Sequence, residues 1–300
     1  MLVQYTALAW SARGFPRRFL SALRILCKAG ARILVVFHDV DPFGGNRLID
    51  RLRRSIQINV MREALSLADR AVFTVALDRL HWLTRPSNKF AFIPVGANLP
   101  FPIAEQPHAE LHSPPTIAIY SITGGSPGER ETRNIIAATR FASGKLGAIR
   151  LNVFGRHAEE RESALKDGLR EFPVALQVQG VVDDANLIEQ FTASDVLFFV
   201  RGTVSSRRGS AIAGISCGLP VIALQGAGTA APITDAGVML VTDEGNEAEL
   251  QLKLGEALVR ILSDNALRAE LVRRNRVAQE KHFSWPAIAS RYAEILQSPD

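Results

Sequence analysis

Ten short apolar runs rich in β-branched residues recur along this chain, and most are separated by longer stretches of helical period. The runs are Leu2–Tyr5, Ile33–Phe37, Ala71–Val75, Phe90–Pro94, Ile117–Ile122, Leu151–Phe154, Ala175–Val178, Val196–Val200, Val221–Leu224 and Val238–Val241. Several are apolar at successive positions, so both faces of the strand must be buried, as they are in parallel sheets covered by helices on each side. The intervening helical patterns are Pro16–Lys28, Arg47–Leu67, Arg130–Phe141, Glu159–Leu169, Ala185–Ala193, Gly209–Cys217 and Glu247–Leu262. Strand and helix in alternation specify an α/β doubly wound architecture.

One segment interrupts the alternation. Asn98–Thr116 reads NLPFPIAEQPHAELHSPPT, proline-rich and without a period, as a linker does. Two Rossmann-like domains are therefore expected on either side of it. The tail from Asp264 to Leu296 is helical, with a break expected at Trp285–Pro286 because proline removes a backbone donor.

Composition narrows the class. With 47% hydrophobic and 22% charged residues, the 300-residue chain has an ordinary globular profile. Its two cysteines, Cys27 and Cys217, form no CxxC or Cys/His cluster, which argues against structural zinc and fits a reducing compartment. The apolar opening MLVQYTALAW lacks a basic region before it and is too short to span a bilayer. The expected location is cytoplasmic. The net charge of +5 allows phosphorylated ligands, an anionic membrane or merely a basic surface. Nucleic acid is not expected, since the basic clusters carry no interleaved aromatics and no nucleic-acid motif.

The richest chemistry lies in Ser205–Leu224, SSRRGSAIAGISCGLPVIAL. A turn with Arg207 and Arg208 leads into Gly209, Ser210 and a helix of small residues. A helix start offers free amides and a favourable dipole to a phosphate, and arginine adds a forked contact. An ordinary strand–helix–strand unit with exposed arginines reads the same way. Gly124 and Gly125 follow a strand, where backbone amides can cradle an anion or simply turn the chain. Arg201 ends the strand Val196–Val200 and should face the ligand crevice, or else solvent. His38 follows a strand end directly, with Asp39 able to orient it or to cap a helix. No metal-ligand spacing is legible, and no metal is expected.

The run RRGSAIAGISCGLPVIA resembles the donor-site segment of retaining family 4 glycosyltransferases, which have the GT-B fold. In the same order as in that family come ILVVFHDV, FIPVGANLP, GVVDDANLIEQFTASDVLFFV and HFSWPAIASRYAEIL. The resemblance implies a partial N-terminal acceptor-side domain (1–98), a linker (99–115), a nucleotide-sugar-binding domain (116–282) and a terminal helix (283–300) returning to the N-terminal domain. The N-terminal domain reads as incomplete, because LVQY looks like a middle strand.

The implied activity is retaining transfer of a hexosyl group from a nucleotide-sugar donor to a glycan or lipid-linked acceptor. The basic N-terminal half allows peripheral contact with the inner face of an anionic membrane, where lipid-linked acceptors reside. Catalytic roles fall to His38 and Asp39, and donor binding to Gly124, Gly125, Arg130, Arg201, Arg207, Arg208, Gly209, Ser210 and Gly226. The family's paired glutamates align with Ser205 and Ala213, neither of them acidic. That departure keeps open a non-catalytic relative that binds a ligand or partner.

Overall fold

The computed structural model describes residues 1–84, 87–99 and 111–297. Two compact units emerge, Met1–Val95 with Ile288–Asp300, and Gly96–Ala287. Most of the expected linker, residues 100–110, lies outside the described residues.

In the first unit, β1 (Leu2–Tyr5), β2 (Leu34–Phe37), β3 (Arg70–Phe73) and β4 (Phe90–Phe92) pair in parallel in that order. The sheet steps in one direction, one half of a doubly wound pattern. Parallel neighbours need crossovers; α1 (Ala7–Trp10) and α2 (Arg17–Lys28) supply the first, α3 (Leu48–Leu67) the second. Alternation along each strand sorts the core. Val35, Phe37, Ala71 and Phe73 pack with Phe19 and Leu23 of α2 and with Val60, Met61 and Ala64 of α3. Leu34, Val36 and Val72 face the other way, against Ile288, Tyr292 and Ile295 of the last helix, α10 (Trp285–Gln297).

In the second unit the strands are β5 (Thr116–Tyr120), β6 (Ile149–Phe154), β7 (Val174–Val178), β8 (Val196–Thr203), β9 (Val221–Gln225) and β10 (Val238–Thr242). The helices are α4 (Gly125–Leu146), α5 (Glu162–Leu169), α6 (Asp184–Thr192), α7 (Gly209–Ser216), α8 (Glu247–Ser263) and α9 (Asn265–Ala278). The sheet is parallel, in the order β10-β9-β8-β5-β6-β7. Counted from β5 this is the 3-2-1-4-5-6 dinucleotide-binding order, and its direction reverses between β5 and β8. Ligands of such sheets bind outside the carboxyl ends of the strands at that reversal. Ile135 and Ala138 of α4 and Leu254 and Leu258 of α8 cover one face together with Ile117, Leu151 and Phe198. Gly214 brings α7 so close to the sheet that an added Cβ would lie 2.4 Å from Leu197 Cδ2.

Three elements differ from expectation. Helix α4 begins at Gly125, not Arg130. The short α1 was not expected; Asp39 Oδ2 accepts from its first amide, Ala7 N, at 2.9 Å. The break in the tail falls at Gln279–Phe283, a π turn ended by Ser284, and α10 starts at Trp285. Pro286 thus sits in a first turn, where its missing donor costs nothing.

Burial pushes the Cys217 thiol up to about 12 from its ordinary 9.0. Cys27 is half-buried, its Sγ 3.5 Å from Leu67 O. A thiol reagent at pH 8 should therefore modify one cysteine of the native protein, and Cys217 only on unfolding. Between pH 9.0 and about 12 the folded state holds the Cys217 proton longer than the unfolded chain does, so stability drains away as pH rises through that window. Two equally fast thiols in native protein would contradict this burial.

Candidate functional site

The turn after β5 stands at the reversal of strand order. Ser121 takes the left-handed region (φ 64°), its N donates to Phe154 O at 2.7 Å, and its Oγ accepts from Arg156 N at 3.2 Å. Ile122 N donates to Arg156 O at 2.9 Å, zipping together the loops after β5 and β6. Thr123 then donates twice, through N and Oγ1, to the buried carboxylate of Glu131, each at 2.7 Å. These bonds place the amino end of α4 at the carboxyl edge of the sheet.

Gly124 is its N-cap, without a side-chain cap, and the first turn carries no acid. Uncapped amides and the helix dipole suit an anion there. Gly128 is required in this turn, because a Cβ would stand 1.7 Å from Thr123 O.

The path from β8 to α7 forms the neighbouring wall. Strand β8 does not stop at Val200. Its pairing with β9 shifts register between Phe199 and Thr203, a bulge that contains Arg201 and Gly202. Val204 N donates to Leu224 O at 2.8 Å. Thr229 Oγ1 donates to Val204 O and accepts from Gly226 N at 2.9 Å, so the loops after β8 and β9 are closed onto one another. Gly226 lies so near that an added Cβ would be 2.5 Å from the Thr203 side chain.

Arg208 Nε donates to Thr203 O at 3.2 Å and folds back over the bulge. The start of α7 is more closed than expected. Gly209 N donates to Arg207 O, and the amides of Ala211 and Ile212 donate to Arg208 O. Much of the anion-holding capacity at this turn therefore rests with arginine side chains rather than helix amides.

Gly124, Gly125, Arg207, Arg208, Gly209, Ser210 and Gly226 all occupy carboxyl-edge positions after β5, β8 or β9, and Arg201 lies in the bulge near the carboxyl end of β8. Arg130 Nη2 donates to both carboxylate oxygens of Asp243 at 3.1 and 3.2 Å, just beyond the carboxyl end of β10. Ser205 and Ala213, at the family's glutamate positions, are buried.

Two residues here escaped sequence reasoning. Tyr120, the last residue of β5, stacks on Phe154 and meets Phe191 edge-on, both at 5.6 Å. Its hydroxyl pKa is raised, first by burial and then by Asp184, while Arg156 and Arg201 oppose the rise. Tyr120, Arg156 and Arg201 thus share one electrostatic neighbourhood at the strand reversal. A tyrosine ending one strand and an arginine just beyond the next were visible signals, but only the strand order makes them neighbours.

In the first unit, His38 follows β2, and its N donates to Tyr5 O at 3.1 Å. Burial lowers its pKa, and the charge of Asp39 partly offsets this, so the imidazole is neutral at pH 7. Asp39 uses one oxygen as the α1 cap. Among the described residues no group of three or more His, Cys, Asp or Glu is placed to hold a metal ion. No helix among them is long and apolar enough to cross a membrane.

Two parallel α/β units, the second in the 3-2-1-4-5-6 strand order, match the GT-B fold of solved glycosyltransferases. No protein-family model matches the sequence. The chain is similar to Anabaena HepE solved with UDP and glucose, at 13% identity and TM-score 0.65, over 94% of this chain and 76% of that one. Sucrose-phosphate synthase from Thermosynechococcus elongatus aligns at 20% identity and TM-score 0.62, over 93% and 71%. A glycosyltransferase from Rickettsia africae aligns at 13% identity and TM-score 0.58, over 99% of both chains. In sequence, 83 residues are 35% identical to a GDP-mannose-dependent monoacylated alpha-(1-6)-phosphatidylinositol monomannoside mannosyltransferase of Corynebacterium glutamicum. The match covers 28% of this chain and 20% of that relative.

Proposed function

We propose that this protein is a glycosyltransferase that moves a hexosyl group from a nucleotide-sugar donor to a glycan or lipid-linked acceptor with retention of configuration. The observation that carries the proposal is the pairing of the uncapped α4 start with the Arg201–Arg208 wall at the strand reversal. Breaking the donor's glycosidic bond leaves a nucleoside diphosphate that gains negative charge in the transition state. Amides and guanidinium groups already aimed at that position lower the barrier without reorganising.

Gly124 and Gly125 bring backbone to the phosphates, Arg201, Arg207 and Arg208 neutralise them, and Gly209, Ser210 and Gly226 line the approach. Arginine supplies the positive charge, so the proposal assigns no metal or cofactor. His38, neutral at pH 7, is assigned to hydrogen-bond a sugar hydroxyl, and Asp39 to hold its loop. For a lipid-linked acceptor the assigned location is the cytoplasm, peripheral to the inner face of a membrane.

The test is a titration of nucleoside diphosphate. Loss of a charged hydrogen bond costs about 1.5–3 kcal/mol, so replacing Arg207 and Arg208 together with alanine should weaken binding at least about tenfold. Unchanged affinity removes the proposal.

The missing acidic pair favours a second reading, a ligand-binding relative without turnover. Donor hydrolysis by the wild-type chain distinguishes the two; binding without any release of sugar supports the second.

A further inference from the structure

Exposed apolar side chains are not spread evenly over this chain. Of the 13 large hydrophobics that stand exposed among the described residues, Phe43, Leu48, Ile49 and Leu52 fall within one loop and the first turns of α3. On a helix of 3.6 residues per turn, Leu48, Ile49 and Leu52 share one face, and Arg51 borders it. Further along, that face turns polar, with exposed Ser55 and Asn59, so the apolar surface is a tip and not a stripe.

The tip is fixed in place. Gln57 Oε1 accepts from Phe43 N at 2.8 Å, and Arg54 donates to Phe43 O and Gly45 O, each at 3.1 Å. Arg53 joins this loop to the one before α2. Its guanidinium lies over the rings of both Phe43 and Phe15, at 5.1 and 5.8 Å, and its Nε donates to Arg13 O at 3.0 Å. The second loop brings Arg13 and the first turn of α2 brings Arg17 and Arg18, all exposed, while Arg47 before α3 and Arg51 in its first turn are exposed as well. Asp50, an acid among them, is buried and paired with Arg53.

The charge of the whole unit follows the same bias. Met1–Val95 with Ile288–Asp300 carries 16 Lys/Arg against 8 Asp/Glu, whereas Gly96–Ala287 carries 19 against 22. From this geometry we infer that the Phe43–Leu52 tip and its arginine ring form a docking surface for an anionic lipid bilayer. The apolar side chains enter the boundary between headgroups and acyl chains, and the arginines meet lipid phosphates above them. A second copy of this chain does not fit, because it would bring two arginine rings face to face. A rigid tip of a few side chains also falls well short of the roughly 800 Å² per partner of a stable protein interface.

The inference rests on the reading of a lipid-linked acceptor for its purpose, but not for its test. Vesicles of phosphatidylcholine alone, and of equal phosphatidylcholine and phosphatidylglycerol, are sedimented with the full chain at physiological and at molar salt. The wild-type protein should follow only the mixed vesicles, and molar salt should release it. Each cation lost near such a surface weakens partition about fivefold, so Arg47→Glu with Arg51→Glu should lower it at least about 25-fold. Leu48→Ser with Leu52→Ser should lower it at least about tenfold at unchanged charge. Circular dichroism should match wild type for both variants, since the changed side chains are exposed. Equal partition to both vesicles overturns the inference, as does wild-type partition of the variants or self-association that the same substitutions abolish. No sugar nucleotide enters the assay, so its failure leaves the donor-site proposal standing, and failure of the Arg207 and Arg208 titration leaves this surface standing.

Discussion

Replacing Gly128 with alanine should destabilise the protein by about 3 kcal/mol, near the upper end of what forced overpacking costs. The added methyl would lie 1.7 Å from the carbonyl oxygen of Thr123, and a backbone atom cannot swing aside as a side-chain end does. Either the first turn of α4 lifts from the β5 loop, or Thr123 gives up its bonds to Glu131. Both routes disturb the amide group of the proposed phosphate site, so nucleoside diphosphate binding should fall with stability.

The same helix offers an internal control. Gly144 has open space around its added Cβ, and its replacement by alanine should stabilise by about 0.5–1 kcal/mol through helix propensity alone. Thermal or denaturant unfolding of the two variants reads both signs. Equal stability of the two would mean that the turn does not press on Thr123.

The second large effect is expected at Asp195. This carboxylate is 1% exposed and sits just before β8. It accepts from Thr116 N at 2.6 Å, from His112 N at 3.0 Å and from His112 Nδ1 at 3.0 Å. In return Asp195 N donates to Thr116 O at 2.8 Å. One side chain therefore registers the amino ends of β5 and β8, the two strands between which the sheet order reverses. Asp195→Ala strands the buried Thr116 amide and should cost about 3 kcal/mol, while Asp195→Asn, which keeps one acceptor oxygen, should cost less. Denaturant titration of both variants checks the order. A loss below about 1 kcal/mol in the alanine variant would show that Asp195 does not hold the two strands.

Much of the architecture was legible because buried parallel strands must be apolar on both faces. All ten runs became strands, with boundaries displaced by a few residues. The failures have physical causes. Gly124–Gly128 has turn composition, yet α4 starts there, and the two bonds from Thr123 to Glu131 fix its first turn against the β5 loop despite the poor helix propensity of glycine. Strand β8 was expected to end at Val200, where the residues turn polar; a bulge carries it through Arg201–Thr203 instead.

Arg130 pairs with Asp243, far away in sequence, and no local pattern could announce that partner. Tyr120 and Arg156 become neighbours of Arg201 only through strand order, which periodicity does not encode. The candidate site was thus readable as separate loops, and its grouping was not.

The packing of α10 bears on how the chain emerges from the ribosome. Leu34, Val36, Val72 and Ile93 are made early, but Ile288, Tyr292 and Ile295, which cover them, come near the end. At a synthesis rate of about 5–20 residues per second, that face of the nascent sheet waits roughly 10–40 s for its cover. During translation that face of the sheet is an open apolar surface until α10 is made.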